Sequence, residues 1–139
     1  MASYIFYKQK LRDNAKKLSN AFSKEYLNFK IFYSVKTNFS EPVLETISEK
    51  YNFEIVSSNE WKKVKNYLPK EIVLNGPSKN GGLVRDIFLS KVERLYFNVD
   101  NDTDLDLLEQ VNNDKLIDNK LTSIDSGINL NVITAFAIV

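Results

Sequence analysis

The feature that most constrains this chain is an alternation. Apolar, β-prone runs recur at intervals of roughly 20–30 residues, each followed by apolar residues at helical spacing. Tyr4-Ile5-Phe6-Tyr7 reads as a short aromatic strand, and Leu11, Ala15, Leu18 and Phe22 then mark one stripe of an amphipathic helix. Phe29 to Val35 is nearly continuously apolar, as a strand covered on both faces should be. Ser40 and Pro42 suggest a helix start, with Val43, Leu44, Ile47 and Tyr51 behind it. Phe53 to Ser57 is the next strand, Ser57 and Glu60 have capping-box spacing, and Trp61, Val64 and Leu68 form a stripe. Ile72 to Asn75 is a strand closed by Gly76-Pro77, with Leu83, Val84, Ile87 and Phe88 helical after it. Arg94 to Val99 is a strand, the polar run from Asp100 to Thr103 supplies a cap, and Leu105, Leu108 and Val111 continue helically. A last strand region spans Leu121–Ile124 and Ile128–Asn131.

Such alternation dictates a parallel sheet with helices outside. The units are not alike in sequence, so this is no solenoid repeat, and no linker divides residues 1–139. The expectation is one α/β domain of about five parallel strands in sequential order. Two architectures fit the pattern alone: an open doubly wound sheet, or part of a (β/α) barrel, which closes with about eight strands.

Composition narrows the chemistry. Among 139 residues there is no Cys and no His, which removes thiolate nucleophiles, cysteine metal sites, the triad base and the HExxH site. With Gly 4 and Pro 3, a GxGxxG or P-loop cradle cannot be built. Lys+Arg 19 against Asp+Glu 18 leaves a net charge of +1, too balanced for a nucleic-acid partner. The N-terminus has no signal-peptide pattern, and no apolar run approaches the roughly 20 residues of a membrane span. A cytoplasmic protein with no membrane partner is expected.

Lysine, carboxylates, Tyr, Ser or a cofactor must then carry any chemistry. Tyr33-Ser34-Val35-Lys36-Thr37-Asn38 places a lysine at the C-terminal end of a buried strand, the edge where parallel α/β folds bind ligands. A desolvated lysine there can form an imine with a carbonyl cofactor, whereas on position alone a solvated loop lysine is the commoner case. Other features read more plainly. Asp100, Asp102, Asp104 and Asp106 lack the Gly and terminal Glu of a calcium loop and fit caps and a solvated helix face. Trp61 reads as core, and Lys62, Lys63 and Lys65 as a solvated face.

An ordered set of short motifs adds a resemblance. Tyr33-Ser34-Val35-Lys36-Thr37-Asn38 resembles Y-[AS]-V-K-[AT]-N, and Phe53-Glu54-Ile55-Val56-Ser57 with Glu60 resembles F-D-V-V-S…E. Asn75-Gly76-Pro77-Ser78-Lys79 is similar to a G-P-x-K turn, Asn98-Val99-Asp100 with Leu105 and Leu108 to V-D-S-x-x-E-L-x-x-L, and Gly127-Ile128-Asn129-Leu130-Asn131 to G-[IL]-R-[IL]-N. These are motifs of the fold-type III pyridoxal-phosphate decarboxylases, the diaminopimelate, ornithine, arginine and carboxynorspermidine enzymes. Alanine racemases share the fold, but their lysine motif runs into a Gly-His-Gly segment where this chain has Phe39-Ser40-Glu41.

The resemblance implies a partial TIM-type barrel, the alanine racemase-like N-terminal domain, without the C-terminal β-domain. It implies pyridoxal 5'-phosphate as cofactor, Lys36 as the catalytic lysine that holds it, Glu54 as a cofactor-binding carboxylate, no metal, and an amino acid, of basic side chain, as substrate. Glu54 stands where the family has Asp, and Asn129 where it has Arg. The family's ring-stacking His, Gly-rich phosphate loop and β-domain lie further along than these residues. Residues 1–139 alone are therefore expected not to decarboxylate, and to need a homo-oligomeric partner or a C-terminal segment to complete the site. Two other functions fit the fold: a non-catalytic remnant serving as a pyridoxal-phosphate-binding or protein-interaction module, and an unrelated α/β binding domain. The ordered motifs disfavour the last.

Overall fold

The computed structural model describes residues 5–112. Strands β1 (Phe32–Ser34), β2 (Asn52–Ile55), β3 (Glu71–Leu74) and β4 (Arg94–Phe97) form one parallel sheet in the order β1-β2-β3-β4. Helices α1 (Lys8–Glu25), α2 (Glu41–Ser48), α3 (Ser58–Val64), α4 (Gly81–Phe88) and α5 (Asp102–Asn112) alternate with the strands, and a short 3₁₀ turn (Lys65–Tyr67) extends α3. The order does not reverse about a central strand, as it does in a doubly wound sheet. Sequential neighbours belong to a barrel-type run, so of the two architectures left by the pattern the barrel is the one found.

Each strand is short because its partner limits it. Phe32 pairs with Asn52, the first residue of β2, so Phe29 to Ile31 have no ladder to join and the expected longer strand shrinks to its paired part. The same logic corrects the first expected strand. Residues 5–7 are not a strand; they are exposed and run directly into α1, with Tyr7 at its N-cap. A single extended segment without a neighbour leaves its backbone groups to water. Four strands lie among the described residues where about five were expected; the last expected region, 121–131, falls outside them.

Alternation sorts the strands into two faces. Phe53, Ile55, Ile72 and Leu74 point toward the helices and pack with Trp61, Val64, Val84 and Ile87 in the main core. The opposite face carries Phe32, Ser34, Glu54, Val73 and Tyr96, with Ser34, Glu54, Val73 and Tyr96 in one register row. Phe32 meets Tyr96 edge-on at 5.4 Å across this face. Below them, at the N-terminal ends of the strands, Lys30 Nζ donates to Glu71 at 2.5 Å and to the Tyr96 hydroxyl at 2.9 Å.

The helices follow their local signals. On α1 the expected stripe of Leu11, Ala15, Leu18 and Phe22 is half-buried, with Ser19 beside it, while most of the remaining residues face water. Trp61 is buried, and its indole Nε1 donates to Asp86 at 2.7 Å. Ser57 accepts from the Glu60 N–H, and the Glu60 carboxylate reaches back one residue beyond the N-cap to accept from Val56 N at 2.9 Å, a variant of the capping box. Ser40 sits at the N-cap of α2 but makes no side-chain cap; Asn38 instead accepts from the Ser40 N–H. Among the described residues no helix is long and apolar enough to cross a membrane.

Candidate functional site

The C-terminal ends of the strands gather the chemistry-bearing residues. Lys36 lies in the turn Val35–Thr37 that ends β1, closed by the Thr37 N–H donating to the Ser34 carbonyl at 3.1 Å. Its side chain is exposed, so the desolvated lysine envisaged from the sequence is not found.

Glu54 is the opposite case. It is 1 % exposed, in register with Ser34 on one side and Val73 on the other. Its Oε1 accepts from Asn75 Nδ2 at 3.3 Å, and its Oε2 is buried with no hydrogen-bond partner. Ser34 Oγ, on the adjoining strand of the same face, is likewise buried and unpartnered. A buried polar atom without a partner costs about 1–3 kcal/mol. Two of them side by side on the face opposite the main core make this the least satisfied polar spot among the described residues.

Glu60 connects Glu54 to Lys36. Burial pushes the Glu60 carboxyl up; the Val56 N–H counters this, the Glu54 charge pushes it higher, and Lys36 draws it down. Lys36 and Glu54 thus act with opposite sign on the same third group. Glu60 was visible in the sequence as a helix cap and as the last residue of the F-D-V-V-S…E resemblance, and its spacing from Ser57 is what places its carboxylate there.

Behind this row, Asn75 and the turn it begins fix the β3–α4 loop. Asn75 Oδ1 accepts from the Gly76 N–H at 2.8 Å. Gly76 has φ +76, and a Cβ there would lie 3.3 Å from Val56 Cβ, so the left-handed conformation suits glycine and little else. Lys79, at the end of the turn, has a side chain with 0 % exposure. Its Nζ donates to the Gly76 carbonyl at 2.6 Å, to Asp100 at 2.7 Å and to Asp104 at 2.8 Å, and lies 5.3 Å from the Phe97 ring centre. Asp104 is therefore no solvated helix-face residue, as the sequence suggested, but a buried counter-ion that also accepts from the Asp100 N–H. A signal for this existed in the sequence: a lysine two residues past Gly-Pro facing an acidic run one βα unit later.

An apolar cavity of about 400 Å³ lies elsewhere, between α1, α2 and the β1 edge, lined by Leu11, Leu18, Ile31, Phe32, Ile47 and Tyr51. Neither Lys36 nor Glu54 borders it. Its lining lacks charged groups able to converge on a ligand, apart from Lys17 at its rim.

No curated protein and no solved structure matches the chain. The family model of the pyridoxal-dependent decarboxylase pyridoxal-binding domain matches residues 9–131. That span takes in Lys36, Glu54, the Gly76 turn and Asp104, every residue of the arrangement just described. The parallel sheet in sequential order, the lysine at its C-terminal edge and the match over most of the chain agree, and the chain belongs to the pyridoxal-dependent decarboxylases through their pyridoxal-binding domain.

Proposed function

We propose that this domain holds pyridoxal phosphate on Lys36 beside the Glu54 carboxylate, and that it serves decarboxylation of an amino acid with a basic side chain. The observation that carries the reading is the orphaned pair Glu54 Oε2 and Ser34 Oγ, buried next to the strand edge that Lys36 follows. A bound group offering an N–H or hydroxyl donor to Glu54 and a polar atom to Ser34 relieves both, so the residues present fit the cofactor. When bound, pyridoxal phosphate supplies the electron sink for loss of the substrate carboxylate.

The chain's own residues bind and orient. Lys36 supplies an amine within reach of solvent-borne aldehyde, because the turn exposes it. Glu54 supplies a fixed negative charge in a buried row, where charge acts more strongly than in water. Asn75 holds one carboxylate oxygen and leaves the other free to meet a ligand donor. The glutamate at position 54, one methylene longer than the family's aspartate, reaches further from β2 toward that ligand. The basic substrate rests on the resemblance of the motifs around Lys36.

The same reading has residues 1–139 alone turn over amino acids slowly or not at all. A phosphate needs backbone N–H groups directed at it. The α4 N-terminus is capped by Asn80, which accepts from Leu83 N at 2.9 Å, and the Gly76 N–H is taken by Asn75. Completion by a second copy or by further chain is supported by apolar residues left in water on either side of α1, Ile5 at 75 % and Leu27 at 100 % exposure.

The test is a titration of the purified chain with pyridoxal phosphate, followed by visible absorbance. Saturable absorbance in the wild type, lost in Lys36→Ala and kept in Lys62→Ala, is the expected result. Equal loss in both variants, or none in either, means unspecific lysine modification and overturns the assignment.

A further inference from the structure

We propose that Lys79 is a positioning residue for Glu54, acting through Gly76 and Asn75; this rests on the assignment of Glu54 to the cofactor made above. A continuous series of hydrogen bonds runs from Asp104 at the start of α5 to the site. Lys79 Nζ bridges Asp104 and the Gly76 carbonyl, the Gly76 N–H donates to Asn75 Oδ1, and Asn75 Nδ2 donates to Glu54 Oε1.

The direction of each bond matters. With its oxygen taken by Gly76, the Asn75 amide has only its NH₂ to offer Glu54; it donates to one carboxylate oxygen, Oε1, and Oε2 is left open. The Asn75–Glu54 contact is 3.3 Å, near the long end of a hydrogen bond, and a shift of about 0.3 Å removes it. Gly76 sets Asn75, and Gly76 is held in its left-handed conformation against Val56. Two carboxylates already balance the Lys79 charge; its third donation goes to the Gly76 carbonyl and pins that turn. The β4–α5 loop thus fixes which face Glu54 shows the cofactor, from two strands away.

The experiment is a double-mutant cycle on the full chain, read as pyridoxal-phosphate affinity by visible absorbance, with folding checked by circular dichroism. Lys79→Met and Asn75→Ala are each expected to weaken binding about tenfold, and the double variant no more than about tenfold, because both break the same series. A lysine with only a structural role would leave the two effects independent, and a double variant weakened about a hundredfold overturns the proposal. If Lys79→Met fails to fold, Asp100→Asn serves, since it removes only the partly exposed partner of Lys79. About threefold weaker binding that vanishes in the Asn75→Ala background supports the coupling; the same loss in both backgrounds refutes it. A wild-type chain without Lys36-dependent absorbance overturns the site assignment and this inference with it. Wild-type binding that neither Asn75→Ala nor the Lys79-side variant alters overturns the inference alone.

Discussion

Breaking the Lys79–Asp104 pair should destabilise the domain by about 3 kcal/mol, the low end for removing one partner of a buried ion pair. The Lys79 side chain has 0 % exposure and the Asp104 side chain 4 %, so in Lys79→Met water cannot replace the lost cation at Asp104. What remains to Asp104 is backbone only: the Asp100 N–H at 2.8 Å and the Asn101 N–H. The low end applies because Asp100 is 37 % exposed and can turn to solvent. Against a total stability of about 5–15 kcal/mol, such a loss is large. Replacing both partners, as in Lys79→Met with Asp104→Leu, should cost less than the sum of the singles by at least about 1 kcal/mol, since no charge is left stranded. Urea unfolding followed by the fluorescence of Trp61, the chain's one tryptophan and 2 % exposed, measures this directly. The pH dependence has a definite sign. Burial works to raise the Asp104 carboxyl, but the Lys79 hydrogen bond, the Asp100 N–H and the Lys79 charge outweigh it, and its pKa is lowered. A carboxyl lowered in the folded state adds stability above its unfolded pKa, about 3.9, and loses it as pH falls through the folded value. The wild type should therefore lose stability below about pH 4 more steeply than Lys79→Met. Single variants within about 0.5 kcal/mol of wild type, or strictly additive effects, would refute the buried-pair account.

Other consequences follow from single contacts. Gly76→Ala should destabilise by about 1–2 kcal/mol in urea unfolding, since Ala must adopt φ +76 and press its Cβ on Val56. Trp61→Phe should cost about 1–3 kcal/mol by circular dichroism, from the lost donation to Asp86 together with the smaller ring in a buried site. Glu49, held by hydrogen bonds from Arg12 and Lys8, should titrate at about 2 in carboxyl NMR and move toward the ordinary range in Arg12→Ala. In the same spectra Glu60 should titrate higher in Lys36→Ala and lower in Glu54→Gln; no movement in either would separate the three groups.

Much of the fold was legible because periodicity reports burial. The stripe Leu11, Ala15, Leu18, Phe22 and the run from Phe53 to Ile55 are where the pattern put them. Strand length was not legible, because Phe29 to Ile31 are as apolar as their neighbours and only the start of β2 at Asn52 denies them a partner. Residues 5–7 misled for the same reason: β-propensity describes a residue's fit to a sheet, and no sheet is beside them. At the site, the motif located Lys36 and Glu54, and the register carried Glu54 next to Ser34. The Lys79 clasp was missed because charge in a sequence is read as solvated by default, and pairing between a lysine and an aspartate 25 residues apart is a tertiary fact.

Lys36 is proposed here as the residue that takes the cofactor. Borohydride reduction of the wild-type chain mixed with stoichiometric pyridoxal phosphate, followed by peptide mass mapping, tests it most directly. One modified peptide is expected, the one carrying Lys36, with Lys62, Lys63 and Lys79 unmodified. Label spread over the exposed lysines, or undiminished in Lys36→Ala, would contradict it.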